Sequence, residues 1–205
     1  GKGIVHSERT PEYLRHSEKS MHGLQIWVAL PKDLEQMEPE FFHIDKEQIP
    51  AWTEADLQYK LIAGEAFGKK SPVPVYSKLF MVEIKSATRQ TLNIGHELYG
   101  ESGLYILQGS IESDNNVYGP KQILVANDSS LCSFTIEENS IIYIFGGEPF
   151  PEERFIYWNF VASTHELIEA AKQNWLDQKM GTIKDETGFV PLPAPIAGSN
   201  FREKR

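Results

Sequence analysis

The chain has 205 residues, 40% of them hydrophobic and 24% charged, proportions that suit one large folded domain or two small ones. Its net charge of −9 opposes a phosphate backbone and argues against direct nucleic-acid binding, and no run of about eighteen apolar residues marks a membrane span. Cys132 is the only cysteine, which excludes an internal disulfide and points to a reducing, cytoplasmic setting. The chain has no apolar signal region and does not begin with Met, so it is expected to start inside a longer polypeptide.

Taken in order, the first element is the extended stretch "GKGIVHSERT". In a strand, residues i and i+2 share a face, so His6 and Glu8 are expected to point the same way. An imidazole nitrogen beside a carboxylate oxygen suits a first-row transition metal, Fe(II) where open positions serve dioxygen. "QIWVAL" (Gln25 to Leu30) reads as the next strand, and "FGKKSPVP" (Phe67 to Pro74) as a linker. Short β-branched and aromatic runs follow: Lys78 to Ile84, Arg89 to Ile94, Leu104 to Glu112, Gln122 to Ala126, Leu131 to Ile136 and Ile141 to Phe145. The stretches between them are turn-rich, and the pattern predicts a mostly β sandwich or barrel.

One helix is predicted over "STHELIEAAKQNWLDQKMG". Ser163 caps it, with Glu166 completing a capping box and Gly181 supplying the stop. Leu167, Ile168, Ala171 and Trp175 share one face, with Trp175 a packing residue. The remainder, with Pro191, Pro193 and Pro195, reads as an extended arm ending in a solvated basic cluster, "FREKR".

The division predicted is 1–66, 67–74 as linker, 75–180 as a β domain with its helix, and 181–205 as tail. A small barrel needs on the order of 80–100 residues, so residues 1–66 supply only part of one. Other candidates have bland readings. His16 and His22 follow the His6–Glu8 pair and either could approach a metal, but they suit loop or core positions better; His43 suits a strand edge, His165 a surface, and Cys132 a small core residue. No Ser/His/Asp arrangement or phosphate-binding loop is present; "GEAFGKK" lacks the required spacing.

"GKGIVHSERTPE" followed by "HGLQIWVALP", then "GLYILQGSIE", "IFGGEP" and "YWNFVASTHELIEAAKQNW", resembles the pirin family, two-barrel proteins of the cupin superfamily. The resemblance covers nearly the whole chain. It implies a cupin barrel with a C-terminal helix, preceded by part of a second cupin barrel. In pirins iron is held in the N-terminal barrel by a His-x-His pair and a later His-x-Glu pair. His6 and Glu8 match the second pair, and the first has no counterpart. In the later barrel the corresponding positions fall on Gly95, Glu97 and Glu101, with His96 one residue out of register, so that barrel is expected to be metal-free. The resemblance further implies an Fe(II)-dependent quercetin 2,3-dioxygenase-type oxidoreductase acting on flavonol-like substrates. In it His6 and Glu8 are metal ligands, and Glu8 also takes the flavonol hydroxyl proton. Two other readings stand beside it: an iron-dependent regulator that binds a transcription factor or metabolic enzyme, and a metal-free scaffold.

Overall fold

In the computed structural model, which describes residues 1–10, 12–126, 128 and 133–194, the β-branched and aromatic runs in the middle of the chain become two facing sheets. The larger is built from β1 (Ala51–Glu54), β2 (Leu57–Ala66), β3 (Lys69–Lys70), β4 (Leu79–Ser86), β6 (Glu101–Gln108), β9 (Ile123–Ala126) and β11 (Ser140–Gly147). Its order is β1-β2-β4-β11-β6-β9, with β3 folded back on β2. The smaller sheet has the order β5-β10-β7-β8, formed by Gln90–Asn93, Ser133–Ile136, Ile111–Ser113 and Asn116–Tyr118.

Alternation decides which side chains meet. Leu57, Tyr59 and Leu61 on β2, Phe80, Val82 and Ile84 on β4, Leu104 and Ile106 on β6, and Ile142 and Ile144 on β11 all enter one core. Leu92, Ile111, Phe134 and Ile136 enter it from the smaller sheet. Register makes the packing continuous, since Ile142 lies opposite both Ile84 and Ile106. On the other face of the same strands Tyr143 lies opposite Glu83 and Tyr105, and its hydroxyl donates to Glu83 Oε2 at 2.6 Å. Burial pushes the Glu83 carboxyl up, but hydrogen bonds from Tyr143 and Lys85 and the charges of Lys85 and Lys60 outweigh it and hold the pKa down. Burial, and then the Glu83 bond, push the Tyr143 phenol up.

The run predicted as one strand, Leu104 to Glu112, is broken at Gly109. Its φ of +74° and its approach to Ser140, where a Cβ would stand 2.0 Å from Oγ, let the chain turn there from the larger sheet to the smaller. The predicted linker differs more. Phe67 and Gly68, both at positive φ, form a hairpin turn, β3 pairs back on Glu65 and Ala66, and β2 pairs directly with β4. The chain divides instead into a barrel unit, residues 41–151, and a second unit of residues 1–40 with those from 152 onward.

The second unit contains the hairpin β12 (Phe155–Tyr157) and β13 (Phe160–Ala162) and the helix α1 (His165–Leu176). Residues 1–40 contain no strand among the described residues, so the strand predicted at Gln25 to Leu30 is not formed. No described strand pairs with that run, and Ile26, Trp27 and Val28 are exposed. The N-terminal stretch is instead tied down one residue at a time. Arg154 Nη2 donates to Leu30 O at 3.0 Å, Lys2 N to Met37 O at 2.9 Å, and Ser163 N and Oγ to the Glu35 carboxylate at 2.8 and 2.6 Å.

That last contact corrects the predicted cap. Ser163 is engaged by Glu35, and Thr164 takes the cap position, its Oγ1 accepting from Leu167 N at 3.3 Å. The helix ends at Leu176 with Asp177 as its cap, four residues before the predicted Gly181. Thr164→Ala is expected to lower the stability of this unit by about 1 kcal/mol, the usual cost of a lost N-cap. Chemical unfolding followed by far-UV circular dichroism checks it, and Glu166→Ala should cost less. No helix among the described residues is long and apolar enough to cross a membrane.

Candidate functional site

His6 and Glu8 lie on an N-terminal stretch without strand geometry, and both are exposed. The residues that alternate with them are held. Ser7 Oγ donates to Glu186 Oε2 at 2.6 Å, Arg9 Nε donates to the same oxygen, and Arg9 Nη2 donates to Glu186 Oε1 at 2.5 Å. Gly188 N completes the set at 2.7 Å. The Arg9 guanidinium, then the Ser7 hydroxyl and the Gly188 amide, lower the Glu186 pKa to about 2.

The sign of the resulting pH dependence follows from that depression. A carboxylate whose folded pKa lies below its unfolded value contributes fully above the unfolded value, and the contribution disappears as pH falls toward the folded one. The Glu186 contacts should therefore hold at neutral pH and weaken between the ordinary glutamate range and about pH 2. Carbon-detected NMR titration should place the Glu186 midpoint near 2, and Arg9→Gln should move it back toward the ordinary range.

The remaining histidines do not join His6. His16 and His22 are exposed, His43 Nε2 lies 3.1 Å from Asp45 Oδ1, and His96 Nε2 lies 3.3 Å from Glu97 Oε1. The ring of His165, the first residue of α1, packs on Phe155 with centroids 3.9 Å apart. Gly95, His96 and Glu97 form a single 3-10 turn, Glu101 begins β6 at the surface, and the barrel interior is filled with aliphatic and aromatic side chains. Cys132 and the "FREKR" cluster lie outside the described residues.

As donors for the metal that the resemblance implies, His6 and Glu8 are right in kind for a divalent first-row ion, but two of them leave most of a coordination sphere unfilled. Among the described residues no group of three or more His, Cys, Asp or Glu side chains is placed to hold a metal ion. The described residues therefore do not make a complete iron site, and no reaction step is derived through one. An open groove of about 620 Å³ at Pro50, Glu65, Lys70, Ser71 and Val73 belongs wholly to the barrel unit and carries no catalytic constellation.

Two sheets closing on one apolar core, with the strand order described above, define a cupin barrel, and residues 81–181 match the family model of the pirin C-terminal cupin domain. A pirin-like protein of Caulobacter vibrioides is 41% identical over 198 residues, covering 94% of this chain and 67% of the relative. The chain belongs to the pirin family. Human pirin is 28% identical over 198 residues, covering 91% of this chain and 65% of that protein. The crystal structure of a quercetin 2,3-dioxygenase from Acinetobacter baumannii superposes with a TM-score of 0.73 at 26% identity, covering 86% of this chain and 59% of that one. The chain thus spans between 59% and 67% of the length of these three proteins.

Proposed function

We propose that this pirin-family chain serves an oxidoreductase of the quercetin 2,3-dioxygenase type, acting on a flavonol-like substrate with Fe(II) as cofactor. The observation that carries the reading is the superposition on the Acinetobacter enzyme over 86% of this chain. In this reading His6 and Glu8 are two of the metal donors. Glu8 has a second role, accepting the flavonol hydroxyl proton. Deprotonation raises the electron density of the ring that dioxygen attacks, and a carboxylate within hydrogen-bond reach of that hydroxyl is the group for the task. Iron, when bound, would supply Lewis-acid and redox chemistry, with His6 and Glu8 among the residues that would hold it.

The test begins with elemental analysis of the chain after anaerobic exposure to Fe(II), with intact mass confirming its length. Quercetin absorbance and oxygen uptake are then followed together. Equal loss of flavonol and dioxygen is expected, with Glu8→Gln lowering kcat/KM by about 10²-fold or more, the usual contribution of a general base. Neither bound metal nor turnover would remove this reading for the chain.

A regulatory reading, in which the iron-bound form binds a transcription factor or metabolic enzyme, is favoured by one observation. The net charge of −9 suits a protein surface better than nucleic acid. It is distinguished by metal-dependent association with such a partner in the absence of turnover.

A further inference from the structure

Two apolar features of the barrel unit lie open to solvent, and they have opposite shapes. The first is a projection. Phe41 and Phe42, adjacent at the start of the unit, are 85% and 50% exposed. A lone exposed apolar residue needs no explanation, but two neighbouring phenyl rings make a patch. The chain behind them is held. His43 Nε2 lies 3.1 Å from Asp45 Oδ1, and Asp45 N donates to Gln48 Oε1 at 2.9 Å. Gln48 N and Ile49 N then close the 3-10 turn Lys46–Gln48 on Asp45 O and Lys46 O, at 3.0 and 3.3 Å. The second feature is the groove described above, with apolar walls of Pro50, Pro72, Val73, Pro74 and Val75. Its polar groups are spent on one another. Lys70 Nζ pairs with Glu65 Oε1 at 2.7 Å, and Ser71 Oγ donates to Ile62 O at 2.7 Å and accepts from Val73 N at 3.2 Å. What remains for an occupant is apolar surface, on proline rings whose stiffness keeps the entropic cost of binding low. Its volume of about 620 Å³ is within the range of pockets that take up a compact apolar body.

We propose that Phe41 and Phe42 of one copy of this chain seat in the groove of a second copy, and the reverse, so that two barrel units pair about a two-fold axis. Projection and groove belong to the same unit, so a two-fold pairing uses each of them twice and leaves neither open. The same copy's groove is the poorer seat. Neither phenylalanine lines it, whereas Gln48 and Pro50 do, and folding Phe42 back over residues so close in the chain means opening the turn that Asp45 and Gln48 hold shut. The area is also sufficient. At about 200 Å² for a whole phenylalanine, the exposed parts of both rings, counted on both copies with the groove surface they cover, remove on the order of 1,000 Å² from water. That is the lower bound for a specific interface, so the dimer is weak and depends on concentration. It involves neither His6 nor Glu8 and stands independently of the proposed reaction.

The test uses the whole chain and begins with sedimentation equilibrium over a range of concentrations. The wild-type chain should pass from monomer to dimer and no further. Phe41→Ser with Phe42→Ser, and separately Val73→Arg, should each weaken the association by about 10-fold or more, the effect of losing an aromatic anchor or blocking its pocket. All three positions are at the surface, so thermal unfolding should be nearly unchanged. A second measurement does not depend on weakening anything. Benzoylphenylalanine in place of Phe42 is photolysed in a mixture of isotope-labelled and unlabelled chains, and the cross-linked peptides are read by mass spectrometry. Cross-links from one copy to Pro72–Val75 of the other are expected. A chain that stays monomeric at every concentration, or a dimer indifferent to both sets of substitutions, would overturn the proposal. Cross-links confined to one copy would place the rings in their own groove and overturn it too, and growth beyond two copies would rule out the closed two-fold pairing.

Discussion

Phe80→Ala should lower the free energy of unfolding of the barrel unit by roughly 3–5 kcal/mol, the range for deleting a buried aromatic ring. The ring is 1% exposed and meets Tyr99 edge-on, with centroids 5.2 Å apart. What places the substitution at the upper end is the inability of the surroundings to collapse. Directly opposite Phe80 on the two neighbouring strands stand Gly64 and Gly146, which have no side chains to move into the space. Tyr99 cannot swing in freely either, because its hydroxyl donates to Leu79 O at 2.7 Å and Lys78 Nζ sits 4.6 Å over its ring. Urea unfolding should show a lower midpoint with an unchanged slope. Phe80→Leu should recover most of the loss. A loss under about 1 kcal/mol would mean that the sheets close over the gap, contrary to this account.

Gly64→Ala should be nearly as damaging for a different reason. Gly64 has φ +74°, and a Cβ there would fall 1.7 Å from Leu79 O, on the main chain of the strand with which it pairs. The left-handed conformation costs a side-chain-bearing residue about 1–2 kcal/mol, and forced overpacking adds about 1–3 kcal/mol. Gly68 separates the two terms. It also has positive φ, +63°, but a Cβ there would meet nothing within 4 Å, so Gly68→Ala should show the conformational cost alone. Equal effects at the two positions would discard the steric part of the argument. Thermal unfolding of the two variants side by side is sufficient.

The sequence was most legible where local pattern and pairing agree. The β-branched and aromatic composition that marked Lys78 to Ile84 and Ile141 to Phe145 is what fills the core, and those runs became β4 and β11. It was least legible where the deciding partner is remote. Ser163 and Thr164 are both competent caps, and Glu35, 128 residues away, decides between them by occupying Ser163. The stretch 67–74 has the composition of a linker, and only the pairing of β2 with β4 shows it to be a turn inside one sheet. Gln25 to Leu30 shows the converse: a strand-like run stays irregular when no described strand offers it hydrogen bonds. The candidate site divides in the same way. His6 and Glu8 were readable as a donor pair from their spacing, but nothing in "KDETGF" signals that Glu186 reaches Arg9 across 177 residues.

The aromatic side chains give each unit its own optical signature. In the barrel unit Trp52 lies parallel to Tyr59 with ring centroids 5.0 Å apart, whereas in the second unit Trp158 and Trp175 meet at 5.4 Å and 64°. Two indoles that close and inclined couple their excited states, and an indole stacked on a phenol does so on different wavelengths. Near-ultraviolet dichroism can therefore follow the two units separately during a single melt, using only chromophores that the chain already carries.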